Sequence, residues 1–144
     1  MNKKMLLGAM LLTNMGLIAV SACTDDDTMP AKPTVVITEA GSHDRPDGTV
    51  TAGEDLHLEA VITAEGLIDR IDVEIHQEEG GQFEIEKSYT EGAYIGVKNA
   101  EFHEHIDIPS SAPEGEYHLH LTVRDKKGQT ATAEAELIVV AASD

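Results

Sequence analysis

Apolar and polar positions alternate along most of this chain, most cleanly from Tyr117 to Arg124. Tyr117, Leu119, Leu121 and Val123 share one face there; His118, His120, Thr122 and Arg124 share the other. Strand side chains point to opposite faces with a period of two, so this stretch predicts a strand with its apolar face on a core. The same pattern recurs upstream. Thr34 to Glu39 reads as a first strand. Leu56 to Thr63 puts Leu56, Leu58, Ala60 and Ile62 inward, with His57, Glu59 and Val61 outward. Arg70 to Gln77 puts Ile71, Val73 and Ile75 inward, with Asp72, Glu74 and His76 outward. Ala100 to Ile108 gathers Ala100, Phe102, Ile106 and Ile108 on one face, interrupted by Glu104, with His103, His105 and Asp107 opposite. Thr130 to Val140 points Ala131, Ala133, Ala135, Leu137 and Val139 inward. Gln82 to Ser88 and Tyr94 to Val97 are weaker strand signals, and Thr49 to Thr51 is long enough only to pair briefly.

Turn chemistry separates these runs: Arg45-Pro46-Asp47-Gly48, Gly66, Gly80-Gly81 and Asp125-Lys126-Lys127-Gly128. No long stretch of this region has a 3.6-residue period, and no internal repeat is visible. Short alternating strands at regular spacing predict an all-β fold, an antiparallel sandwich of about seven strands.

The N-terminus follows a different pattern. Lys3 and Lys4 precede an apolar run, Met5 to Val20, broken only by Thr13 and Asn14. That is the layout of a signal sequence, too short and too interrupted to span a bilayer convincingly. Val20-Ser21-Ala22-Cys23 resembles the lipobox of bacterial lipoproteins. The resemblance implies cleavage before Cys23 and a diacylglycerol on its thiol; the plainer alternative is ordinary cleavage after Ala22 with a free thiol. Thr24-Asp25-Asp26-Asp27 resembles the surface-export signal of Bacteroidota-type lipoproteins, against the alternative of a solvated acidic linker. The expected organisation is a signal peptide over 1–22, a lipidated Cys23 with an acidic tether over 23–32, and the sandwich over 33–141. The expected location is the outer membrane, lipid-anchored and exposed at the cell surface.

Two further resemblances bear on the sandwich. Pro113-Glu114-Gly115-Glu116-Tyr117 matches the tyrosine corner of immunoglobulin-like domains. Val123-Arg124-Asp125 followed by Gly128 resembles the hairpin between the last two strands of bacterial domains of that kind. The cysteine pair and core tryptophan of antibody domains are absent. Ser42-His43-Asp44, Val73-Glu74-Ile75-His76, Phe102 to Pro109 and Tyr117-His118-Leu119-His120 together resemble a family of small Bacteroidota surface lipoproteins catalogued as a domain of unknown function. That resemblance implies an immunoglobulin-like fold and an envelope location, and no activity.

Charge narrows the partners. The 27 acidic residues outnumber the 10 basic ones, for a net charge of −17. Nucleic acid and anionic membrane surfaces are poor partners on this balance; cations, or a basic protein surface at the envelope, suit it better. Aromatic residues are 3% of the chain and Trp is absent, which disfavours a stacking platform for bases or sugars. A single cysteine cannot form an internal disulfide. There is no nucleophile motif and no Gly-rich phosphate loop, so the expectation is a protein that is not an enzyme.

The seven histidines carry the candidate chemistry. An immunoglobulin-like sandwich would bring Glu74, His76, His118 and His120 together on one outer face. It would gather His57, Glu59, His103 and His105 on the other, all at one pole, with His43 free to join either group. A His-x-His pair on a strand presents two ring nitrogens to one side, and imidazole with carboxylate suits Zn²⁺ or Cu²⁺. Three readings stand: a metal site, plain surface histidines, or a pH-sensitive partner contact. The His-x-His pairs share a ligand pattern with Cu/Zn superoxide dismutase, but the disulfide and the remaining histidine spacing of that enzyme are missing. The expected function is a binding or accessory module with a histidine-rich metal site. The alternatives are a metal carrier or sensor at the envelope, and a structural spacer or adhesin subunit without metal.

Overall fold

Inward apolar positions at a period of two carry the chain into strands. The computed structural model describes residues 28–143, and among them are eight strands and no helix. These are β1 (Thr34–Gly41), β2 (Thr49–Thr51), β3 (Asp55–Thr63), β4 (Ile68–Gln77), β5 (Glu84–Tyr89), β6 (Asn99–Asp107), β7 (Gly115–Asp125) and β8 (Thr130–Val140). The expected signal peptide, Cys23 and Asp25 to Asp27 lie outside the described residues.

The strands form a three-stranded sheet, β1-β3-β6, and a five-stranded sheet, β2-β8-β7-β4-β5. This is the strand order of an immunoglobulin-like sandwich, with β1, β3 and β6 in places A, B and E and β4, β7 and β8 in places C, F and G. Tyr117 completes the tyrosine corner: its hydroxyl donates to the Pro113 carbonyl at 2.7 Å. Between the sheets, Leu56, Ile62, Phe102 and Ile106 meet Ile75, Tyr117, Leu119 and Leu121, all buried. Burying each such side chain contributes about 1.5–3 kcal/mol.

Three details add to or correct the pattern read in the sequence. There are eight strands rather than about seven, because Thr49–Thr51 pairs with β8, and that pairing is parallel. The run Gln82 to Ser88 becomes β5, which pairs with β4 and so widens the larger sheet. Tyr94 to Val97 is not a strand. Gly92 and Gly96 sit at φ of +92° and +80°, left-handed backbone that breaks an extended run. The segment lies along the open edge of β6 instead. The Tyr94 hydroxyl donates to the His103 carbonyl at 2.9 Å and accepts from the His103 N–H at 3.3 Å.

The two poles of the sandwich differ in chemistry. At one, buried Asp125 closes the β7–β8 hairpin, accepting from the backbone N–H groups of Lys127 and Gln129 at 2.9 and 2.8 Å. Gln129 Nε2 donates to the Pro30 carbonyl at 2.9 Å, so the chain enters the domain beside this hairpin. His103 and His120 sit at mid-strand, and the other five histidines lie toward the other pole. There β1 ends, β3 begins, β4 and β6 end and β7 begins. The β1–β2 loop at that pole folds back tightly. A Cβ on Gly41, at φ +153°, would stand 2.1 Å from the Arg45 carbonyl oxygen. Only glycine lets this loop bring His43 over the sheet, where its ring stacks on His57 at 6.1 Å.

Candidate metal centre

On the outer face of the smaller sheet, antiparallel pairing sets His57 opposite His105 and Glu59 opposite His103. Strand alternation turns these four side chains to one side. The sequence pattern places His57 outward, and outward it points, yet its side chain is only 10% exposed. β3 is the middle strand, so Glu39 from β1, His103 and His105 from β6 and His43 from the loop crowd over it. His103 and His105 are half exposed.

Carboxylates hold the Nδ1 atoms. His57 Nδ1 is 3.1 Å from Glu39 Oε1, His103 Nδ1 is 3.4 Å from Glu59 Oε1, and His105 Nδ1 is hydrogen-bonded to Asp55. The His105 hydrogen bond is the main reason the Asp55 carboxyl is held below its ordinary range. An ionised carboxylate only accepts, so His57 and His105 donate from Nδ1, while His103 Nδ1 lies at ion-pair distance from Glu59. A neutral ring protonated there carries its lone pair on Nε2. His57 Nε2 and His103 Nε2 face each other at 3.0 Å, with Glu59 Oε1 3.4 Å from His57 Nε2. Either an N–H of one ring donating to the other nitrogen or a cation between the two rings satisfies that separation. Two nitrogens bound to one tetrahedral Zn²⁺ at about 2.0–2.1 Å stand about 3.3–3.4 Å apart, so little movement would admit the ion. Among the described residues, one trio of potential ligands has its ligand atoms all within 4.8 Å of one another, and it is His57, His103 and His105.

On the outer face of the larger sheet, His76 pairs opposite His118 and Glu74 opposite His120. His76 Nε2 faces His120 Nε2 at 3.1 Å. Glu74 Oε1 is 4.0 Å from His76 Nε2, and His118 Nε2 turns instead to Glu78 at 3.4 Å. The seven histidines therefore form two groups on opposite faces, and His43 stacks with the first. Sequence reasoning missed Glu39, Asp55, Glu78 and Glu134, which anchor ring nitrogens of both groups. Their role depends on cross-strand register, which alternation alone does not specify.

An aromatic cluster supports β6 beneath the first group. Tyr89 and Tyr94 pack against Phe102 at ring distances of 5.2 and 5.1 Å. Burial, with a smaller push from Glu104, raises the Tyr89 hydroxyl to about 12. The neutral phenol is thus favoured in the folded state. Its contribution is complete below the unfolded value near 10 and is lost as pH rises through about 12. Urea unfolding across that range should show stability falling with pH, and falling less steeply in Tyr89→Phe.

No curated protein matches the sequence. Three solved structures align with the chain. A DUF4466 family protein from Parabacteroides merdae ATCC 43184 aligns over 74% of this chain with a TM-score of 0.51 at 11% identity, a likeness of fold alone. This chain spans 45% of that protein's length. Murine CRIg aligns over 78% of this chain and 100% of its own, with a TM-score of 0.40 and 9% identity. The superoxide reductase (neelaredoxin) from Ignicoccus hospitalis aligns over 77% of this chain and 82% of its own, with a TM-score of 0.40 and 9% identity. At family level the match is direct: the domain of unknown function DUF4625 covers residues 21–140, and the chain belongs to that family.

Proposed function

We propose that this protein is a lipid-anchored envelope module that binds a divalent transition metal, Zn²⁺ or Cu²⁺, at the pole of its sandwich away from the membrane. The observation that carries the reading is the convergence of His57, His103 and His105, with the Nε2 atoms of His57 and His103 at 3.0 Å and their Nδ1 atoms held by carboxylates. Such carboxylate–histidine pairs orient a ring and raise its basicity as a ligand. Glu59 places one oxygen 3.4 Å from both His57 Nε2 and His103 Nδ1. A net charge of −17 favours cation encounter. The lipobox-like Val20 to Cys23 supports the anchor, and the acidic run behind it supports surface export. Pro30 enters at the hairpin pole, so an anchor at Cys23 leaves the histidines facing outward. Use as a carrier, a sensor or an accessory to a protein partner follows from the same site.

Calorimetric titration of Zn²⁺ into protein made without an affinity tag tests the site. Wild type should bind, and His103→Gln/His105→Gln should bind at least tenfold more weakly at this face. No heat with Zn²⁺, or with Cu²⁺ titrated in the same way, would leave the spacer or adhesin reading in place. The anchor has its own test: Cys23→Ala should abolish lipid labelling and release the domain from membranes. Replacing Asp25 to Asp27 with Ala should keep the lipid and remove protease accessibility on whole cells. A Cys23→Ala protein still held in the membrane would refute the lipoprotein assignment.

A further inference from the structure

The two histidine groups are built to one plan. In the first, His57-Leu58-Glu59 on β3 runs antiparallel to His103-Glu104-His105 on β6. In the second, Glu74-Ile75-His76 on β4 runs antiparallel to His118-Leu119-His120 on β7. Each is a block of three histidines and one glutamate across a strand pair. In each, one histidine stands directly opposite a histidine, and the glutamate stands opposite the other. The diagonal histidines are the pair whose Nε2 atoms meet, at 3.0 Å in the first block and 3.1 Å in the second. Both diagonal rings of the second block are also held at Nδ1 by acceptors. His76 Nδ1 lies 3.2 Å from the Gln77 carbonyl, and His120 Nδ1 lies 3.2 Å from Glu134 Oε1. The two Nε2 atoms again face each other, joined by one N–H or open to a cation.

We infer that the larger sheet carries a second transition-metal site, made by His76 and His120 with Glu74 and completed by His118. The inference rests on the metal reading of the first block, and adds a stoichiometry of two. β3 and β4 are consecutive, as are β6 and β7, so each of these crossings between sheets joins a strand of one block to a strand of the other. The sheets of a sandwich lie about 10 Å apart, so ions on their outer faces share no ligand and bind independently. The second site is the weaker. His118 must leave Glu78 to join it, and Glu74 stands 4.0 Å from His76 Nε2. Glu134 is the positioning residue that holds His120.

Native mass spectrometry of tag-free protein with Zn²⁺ tests this. Wild type should hold two ions. His76→Gln/His120→Gln and His103→Gln/His105→Gln should each hold one, and the combined variant none. Glu134→Gln, which leaves all six rings of the two blocks in place, should weaken only the second site, by about 10–100-fold. One ion in wild type, lost only with His103→Gln/His105→Gln, would overturn the second site and leave the first standing. Two ions retained by His76→Gln/His120→Gln would overturn the ligand assignment. No ion in any form would overturn both sites.

Discussion

Leu119→Ala is expected to lower the stability of the domain by about 2–5 kcal/mol, the range for emptying a buried leucine position. Leu119 is fully buried in the middle of β7, facing the three-stranded sheet. Its neighbour His120 points the other way, and His120→Ala should cost under about 0.5 kcal/mol in metal-free protein, as substitutions on an open face do. The midpoint of urea unfolding, at unchanged slope, reads both. Comparable losses at the two positions would mean that the faces of β7 are reversed, and with them the placement of every histidine in the second block.

The second large effect is metal-linked. A ligand that binds only the folded state at 100 times its dissociation constant stabilises it by about 2.7 kcal/mol. For a domain of this size that is on the order of 10 °C in melting temperature. Zn²⁺ should therefore raise the transition in scanning calorimetry at pH 7.5, and a chelator should return it to the metal-free value. The rise should persist, smaller, in His76→Gln/His120→Gln, because the first block remains. A transition unmoved by either Zn²⁺ or Cu²⁺ would show that protons alone fill the space between the rings.

Much of this architecture is legible in the chain because the core is written by alternation. Leu56, Leu58, Ala60 and Ile62 are buried, as are Ile71, Val73 and Ile75, on the faces the pattern assigns them. The hairpin at Asp125 and the corner at Tyr117 are local signals and form where they are read. What the pattern does not carry is which strand lies beside which edge. β5 pairs with β4 through a register that no local residue announces, and β2 joins β8 in parallel across most of the sequence. The candidate sites divide the same way. The His-x-His repeats predict two rings on one face. The anchors at Glu39, Asp55 and Glu134 come from neighbouring strands or from a strand's first residue. Burial of His57 is likewise a property of the finished sheet, since its cover comes from β1, β6 and the loop at His43. Short alternating segments fix faces; long-range register gathers side chains into chemistry.

X-ray absorption at the zinc edge, on tag-free protein dialysed after loading, tests the central claim most directly. The account predicts retained zinc with an inner shell dominated by imidazole nitrogen at about 2.0–2.1 Å, and that shell should thin in His103→Gln/His105→Gln. Zinc lost on dialysis, or held in a shell of oxygen alone, would contradict it.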